Sequence, residues 1–278
     1  MKPINDTMVW DQCRGKIFSK KGGWKIGSGV FSHGYSMMDD LVGEVSYTQV
    51  QILNAVGTLP EKRVADWIEA VCICLSWPDP RIWCNQIGAL GGTARTSVVA
   101  ATVSGVLAAD STMYGSRPLL KGVEFIQKAL KQKQSLSISA EEIVQRVAKK
   151  NRGKATIVGY ARPIASGDER VVAMERVTNQ LGFEIGEHLH LAYEINEILT
   201  RDHRESININ GYVSAFLSDQ GYSADQIYNI GCICVSSGVT ACYVDAADRV
   251  AGSFLPLRCD DVDYQGKPPR TVPDNKLC

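Results

Sequence analysis

The chain has 278 residues, 45% of them apolar, and is long enough to bury a sizeable core as one large domain or two closely packed ones. Its 30 basic and 30 acidic side chains cancel, which leaves no global field to attract nucleic acid or an anionic membrane. We therefore predict neither of these as a partner and expect recognition at local sites.

Nine cysteines are spread over the chain, and four of them form two Cys-Ile-Cys runs, at 72–74 and 232–234, inside apolar stretches. Cysteine behaves there as a small hydrophobe. The odd number argues against a disulfide framework, and the spacing is not that of a structural zinc site, so no metal is predicted. Residues 1–10 contain no apolar stretch of signal-peptide length, and we expect no run to approach the roughly 18 apolar residues of a spanning helix, so the default location is the cytoplasm.

Glycine and β-branched residues at 24–31 predict a short hairpin or extended lead-in before any helix. Residues 39–42 open a helical stretch. Residues 46–56 continue it with apolar positions at three-to-four spacing, and Gly57 followed by Pro60 ends it.

A second amphipathic helix is predicted over 61–75, because Pro78 disfavours helical backbone before it. Residues 91–109 are mostly small and predict one buried core helix. Further helices are predicted at 118–134, 140–149, 168–181, 189–199, 213–219, 224–230 and 232–249. The predicted strands are all short, so the fold class is mainly α.

Three segments carry the functional signal. Residues 111–116 read Ser-Thr-Met-Tyr-Gly-Ser, residues 158–163 read Val-Gly-Tyr-Ala-Arg-Pro and residues 208–211 read Asn-Ile-Asn-Gly. They resemble the active-site segments of the citrate synthase family, with Tyr114 and Tyr160 at the positions of two catalytic histidines and Asn210 at the position of the catalytic aspartate. The resemblance extends to 33–47, 57–60 and 264–273, so it covers nearly the whole chain.

The resemblance implies a mainly α, citrate synthase-like homodimer. A large helical domain, 1–116 and 210–278, and a smaller one, 117–209, would close over a cleft. The length suits the compact members of the family, including citryl-CoA lyase domains, better than full-length citrate synthases.

In the family a carboxylate removes a proton beside a thioester and histidines act as donors or polarise the ketone. Asn210 has no basic site near neutral pH, so we expect it to orient substrate. Tyr114 and Tyr160 are interpreted as hydrogen-bond donors to a developing oxyanion. The alternatives are packed aromatic residues for the tyrosines and a helix cap for Asn210.

Substrate-binding positions follow from the same resemblance. Arg170 matches an arginine that binds a carboxylate, Arg258 matches one contributed by the partner subunit, and Asn85 stands at a histidine position. Val235 replaces another carboxylate-binding arginine, which puts the usual pose of oxaloacetate or citrate in doubt. In the basic region, Lys154 and Arg162 are candidates for coenzyme A phosphates, although a solvated charge run is the alternative.

These positions lead to one main hypothesis and two alternatives. The main one is an enzyme that makes or breaks a carbon–carbon bond, by aldol or Claisen-type chemistry, on an acyl-CoA or related carbonyl substrate in specialised metabolism. No tightly bound cofactor is expected, and a coenzyme A thioester enters as substrate. The alternatives are a binding or regulatory protein without catalysis and a lyase or cyclase that does not use coenzyme A.

Overall fold

Almost all regular structure is helical in the computed structural model, which describes residues 7–161, 167–232, 234–253 and 258–272. The α-helices of these residues are α1 (Met8–Cys13), α2 (Tyr47–Val56), α3 (Lys62–Leu75), α4 (Trp83–Thr93), α5 (Val98–Ala109), α6 (Ser116–Leu136), α7 (Ala140–Lys150), α8 (Glu169–Gln180), α9 (Glu187–His203), α10 (Ile209–Asp219), α11 (Ala224–Gly231) and α12 (Ser236–Ala247). The predicted mainly α class is confirmed.

The extended lead-in is also present. Three short strands, β1 (Gly22–Lys25), β2 (Gly29–Ser32) and β3 (Tyr35–Ser36), form an antiparallel sheet in chain order, with Trp24 paired to Val30. A π-helical turn, Met37–Leu41, follows it.

Local capping explains where the best-predicted helices begin and end. Ser46 and Gln49 form a reciprocal capping box at the start of α2, and Gly57 ends that helix at φ 88° in the left-handed region. Asp168 caps α8 by accepting the backbone N–H of Arg170.

The single buried helix predicted for residues 91–109 is wrong. The chain leaves α4, passes through Arg95 in a left-handed conformation (φ 60°) and enters α5, where Ser97 Oγ accepts the N–H of Ala100 at 3.1 Å. The guanidinium of Arg95 bonds the carbonyl oxygens of Ala247 and Arg249, so a contact far along the chain stabilises this break. Helix α4 (Trp83–Thr93) was not predicted from the sequence as a separate helix.

The larger core is built by α2, α3 and the helices from α6 to α11. At its centre the rings of Trp67 and Phe216 stack with their centroids 3.8 Å apart, and the indole N–H donates to Thr178 Oγ1 at 2.8 Å. This core contains residues from both predicted domains, and the predicted domain division stays a prediction.

A separate group of helices, α4, α5 and α12, packs through glycine. A Cβ added to Gly88 would lie 2.4 Å from the carbonyl oxygen of Val239, and one added to Gly105 would lie 2.8 Å from that of Cys84. Such close approach of helix backbones requires that no side chain intervene.

The outer face of α5 is apolar and exposed, contrary to the predicted burial of this segment. Val99, Val103 and Leu107 follow one another at four-residue spacing and each is more than half exposed. The buried residues of α5, among them Ala101, lie on the opposite face.

One stretch of the described residues, Ala224–Ala247, is 24 residues long and apolar enough to cross a membrane by length and composition alone. The expectation that no run reaches such a length was therefore wrong by this criterion. In the structure the stretch consists of α11 and α12, which pack on other helices, and core helices of soluble proteins pass the same test.

Candidate active site

A buried ion pair fixes one arginine at the start of α8. Asp168 Oδ1 accepts from Arg170 Nε at 2.8 Å and Oδ2 accepts from Nη2 at 2.7 Å. The same Oδ2 accepts the backbone N–H of Ile209 at 2.8 Å, which joins the first turns of α8 and α10. The Asp168 side chain is fully buried and that of Arg170 is 22% exposed. The guanidinium is therefore bound to a buried carboxylate and remains partly exposed to solvent.

The carboxyl of Asp168 is charged at neutral pH. Burial by itself would raise its pKa, but the hydrogen bonds from Arg170 and Ile209 outweigh burial and hold the pKa below its usual range. Arg170 is therefore a fixed cation whose Nε–Nη2 edge is occupied by Asp168, and a ligand carboxylate would have to bind at the Nη1–Nη2 edge.

A tight turn between α5 and α6 positions Tyr114. Ser111 Oγ accepts the backbone N–H of Tyr114 at 3.0 Å, and Gly115 has φ 86°. A Cβ on Gly115 would lie 1.7 Å from the carbonyl oxygen of Ala109, so only glycine fits after the tyrosine.

The side chain of Tyr114 packs beside Cys84 and Val235, with the ring of Trp83 at 6.2 Å between centroids. Burial and the adjacent Cys84 thiol raise the pKa of Tyr114, and the positive charge of Arg170 opposes part of that rise. The hydroxyl is consequently protonated at neutral pH and acts as a donor, not as a base.

Tyr160 occupies a different environment. Its side chain belongs to the larger core, its hydroxyl donates to the carbonyl oxygen of Ala192 at 2.9 Å, and burial raises its pKa. The predicted oxyanion role of Tyr160 stays a prediction, and in this arrangement the hydroxyl would have to leave Ala192 to perform it.

Asn210 lies in the first turn of α10 and is not the cap of that helix. The cap is Asn208, whose Oδ1 accepts the N–H groups of Asn210 and Gly211 at 2.9 and 3.2 Å. The alternative that Asn210 is the cap is therefore wrong. Its own Oδ1 accepts the hydroxyl of Ser214 at 3.3 Å and faces α6 at Gly122.

The segments that carry Tyr160 and Asn210 touch through glycine. A Cβ on Gly211 would lie 2.3 Å from the carbonyl oxygen of Gly159, which accepts the N–H of Asn208 at 2.9 Å. The start of α10 therefore contacts three segments: the turn at 159–161, the first turn of α8, and α6. Helix α6 begins two residues after Tyr114.

Asn85 is buried in α4, next in the chain to Cys84. Its Nδ2 donates to the carbonyl oxygens of Trp77 and Asp79 at 2.9 and 3.0 Å, so its amide holds the loop between α3 and α4. Its predicted role in substrate binding is untested, and Val235, at a predicted arginine position, forms part of the apolar wall near Tyr114.

Two of the remaining predicted residues, Arg258 and Lys154, are exposed. Arg258 is exposed in the C-terminal segment, where its N–H donates to Asp261 Oδ2 at 2.8 Å. Lys154 is exposed after a turn at Gly153 (φ 91°). Arg162 lies outside the described residues.

Two contacts of the site were not predicted from the sequence: Asp168 anchors Arg170, and Cys84 lies beside Tyr114. The signal for the first was available in the Asp-x-Arg pattern, which recurs at Asp79 and Arg81 with the same two-point contact. Among the described residues, no group of three or more His, Cys, Asp or Glu is placed to hold a metal ion.

Comparison with known proteins gives no matching family model and no matching curated protein. Solved structures do match. Citryl-CoA lyase from Hydrogenobacter thermophilus has a TM-score of 0.76 at 24% identity, over 92% of this chain and 97% of that one. ATP citrate lyase from Methanothrix soehngenii, in complex with citrate and coenzyme A, has a TM-score of 0.74 at 17% identity, over 94% of this chain and 44% of that one.

Citrate synthase from Thermotoga maritima has a TM-score of 0.61 at 16% identity, over 83% of this chain and 60% of that one. This chain therefore has the citrate synthase-like fold that its motifs resemble. It spans nearly the whole citryl-CoA lyase and less than half of the ATP citrate lyase.

Proposed function

We propose that this protein makes or breaks a carbon–carbon bond in a carbonyl substrate, an acyl-CoA thioester or a relative of one, by aldol or Claisen-type chemistry. The observation that carries the proposal is a cation fixed by a buried carboxylate, with an electrostatic influence on a buried hydroxyl. Arg170 is locked by Asp168, and its charge acts on the protonated hydroxyl of Tyr114.

In this mechanism Arg170 binds a carboxylate of the substrate, which fixes the reacting carbon relative to Tyr114. When the bond breaks, its electron pair moves to the carbon beside the carbonyl and the negative charge develops on the carbonyl oxygen. Tyr114 donates a hydrogen bond to that oxygen, in a site whose apolar wall strengthens the interaction. Synthesis runs through the same enolate in reverse.

Asn210 is proposed to orient the substrate at the start of α10. The amide of Asn210 is not basic near neutral pH, so it cannot accept the proton that the reaction transfers. That proton passes to water or to a substrate carboxylate. Coenzyme A phosphates are proposed to contact the exposed Lys154 region and Arg162, with no tightly bound cofactor.

We extend the proposal to a cytoplasmic homodimer. Its support is the apolar face of α5, since a row of large exposed side chains on a helix is typical of a surface that a partner covers. The exposed C-terminal segment with Arg258 would then be available to the partner subunit.

The test is calorimetric titration with coenzyme A, acetyl-CoA and oxaloacetate, separately and together, followed by mass spectrometry of mixtures with citryl-CoA. We expect binding of a thioester or a carboxylate ligand. Tyr114→Phe should lower turnover about 100-fold to 1,000-fold, the usual effect of removing one oxyanion donor, with little change in binding.

Arg170→Gln should weaken binding of the carboxylate ligand about tenfold to a hundredfold, because a charge-assisted contact is lost. Arg81→Gln is the matched control, since Arg81 makes the same two-point contact with the aspartate two residues before it. Absence of binding by every ligand, or equal effects of the two arginine variants, would reject the proposed site.

The second candidate function is ligand binding without catalysis. It is favoured by Tyr160 and Asn210, whose polar groups bond to Ala192 and Ser214 inside the fold. This candidate predicts binding with no turnover of any thioester, and Tyr160→Phe would then change stability and not activity.

A further inference from the structure

Two thiols meet outside the candidate active site, where the last turns of α3 approach the segment between α11 and α12. The Sγ atoms of Cys72 and Cys234 are 3.2 Å apart, although 162 residues separate them in the chain. Cys72 is partly exposed at the edge of the larger core, and Cys234 is buried.

The two sulfurs are unequal, which gives them different chemical roles. The hydrogen bond between the two sulfurs lowers the pKa of Cys72, against an opposing effect of burial. The pKa of Cys234 is raised by the same contact and by burial. Cys72 is therefore the nucleophile of the pair, since the thiolate is the reactive form and its sulfur is the more accessible one.

The neighbouring cysteines do not share this arrangement. Burial raises the pKa of Cys74, and burial likewise raises that of Cys232, whose Sγ donates to the carbonyl oxygen of Asn229 at 3.0 Å. Each lies two residues from a member of the pair, so the chain provides its own matched controls.

We propose that Cys72 and Cys234 are a redox modification site that forms a reversible disulfide on exposure to a hydroperoxide. The Cys72 thiolate attacks the peroxide oxygen, the O–O bond breaks, and a sulfenic acid and water or an alcohol result. The Cys234 sulfur then attacks the sulfenic sulfur, forms the S–S bond and releases water. Both thiols together lose two electrons and two protons, and a dithiol reverses the change.

The geometry requires little movement. A disulfide has an S–S distance of about 2.05 Å, so the two sulfurs need to approach by only about 1 Å. The link would tie α3 to Val235, which follows Cys234 and belongs to the apolar wall beside Tyr114. The inference does not depend on the reaction proposed for that site.

The experiment is peroxide treatment of the reduced full-length protein, followed by alkylation of remaining thiols, digestion and mass spectrometry. We expect a cross-linked peptide pair containing Cys72 and Cys234. The intact mass before alkylation should fall by about 2 Da because two hydrogens leave, and dithiothreitol should reverse both changes.

Cys72→Ser and Cys234→Ser should each abolish the cross-link, whereas Cys74→Ser and Cys232→Ser should retain it. Circular dichroism confirms that each variant is folded, and Cys72→Ser, at the more exposed position, remains decisive if Cys234→Ser does not fold. A cross-link that needs Cys74 or Cys232, a link between two chains, or full alkylation of Cys72 and Cys234 after peroxide would overturn the proposal.

Discussion

Replacement of Asp168 by asparagine tests the buried anchor of the site. Asp168 accepts three hydrogen bonds from Arg170 and one from the N–H of Ile209, and its side chain has no contact with solvent. Asp168→Asn keeps the shape but removes the charge and directs an NH₂ group at the donors of Arg170. The variant leaves a largely buried cation without its counter-ion.

The expected loss follows from this burial. Breaking a buried ion pair by removing one partner costs about 3 to 5 kcal/mol, and we expect the lower value, about 3 kcal/mol, because Arg170 is 22% exposed and water relieves part of the loss. Urea unfolding at pH 7, followed by circular dichroism, measures the free energy of unfolding of both proteins.

The pH dependence gives an independent check. The pKa of Asp168 lies below its usual range in the folded state, so its stabilisation is complete above the unfolded pKa near 3.9 and is lost as pH falls through the folded pKa. The difference between the wild type and Asp168→Asn should therefore be constant at neutral pH and shrink below about pH 4.

A matched control is available in the chain. Asp79 and Arg81 repeat the same spacing and two-point contact, but the Arg81 side chain is 78% exposed. Asp79→Asn should destabilise the protein less than Asp168→Asn because water solvates Arg81. Equal losses, or a difference between wild type and Asp168→Asn that persists unchanged at acidic pH, would refute the argument from burial.

Two further predictions concern the core and the outer face of α5. Thr178→Val should lower the free energy of unfolding by about 2 kcal/mol, because it leaves the buried indole N–H of Trp67 without its acceptor. Thr178→Ser keeps the hydroxyl and should cost less. Urea unfolding of both variants measures the difference, and equal losses would contradict the hydrogen-bond explanation. Val103→Glu should convert the proposed homodimer to monomers, since it places a charge in the apolar row beside Val99 and Leu107. Light scattering measures the molar mass, and an unchanged mass would exclude α5 from the interface.

Much of the helical framework was predictable because its signals are local. The box of Ser46 and Gln49, the stop at Gly57 and the cap at Asp168 each act within a few residues, so the chain specifies those helix ends itself. The break between α4 and α5 was missed because the carbonyl groups that hold Arg95 belong to the end of α12 and the residues just after it.

The sequence by itself predicted the same role for Tyr114 and Tyr160, because both stand where the family that the chain resembles has histidine. Only the tertiary structure decided that they differ, because packing brings Arg170 and Cys84 to the first and the Ala192 carbonyl to the second. The partner of a buried donor is set by which helices meet there, and those helices are distant in sequence. The same physical reason explains why Cys72 and Cys234, which the sequence suggests are small hydrophobes, lie with their sulfurs 3.2 Å apart.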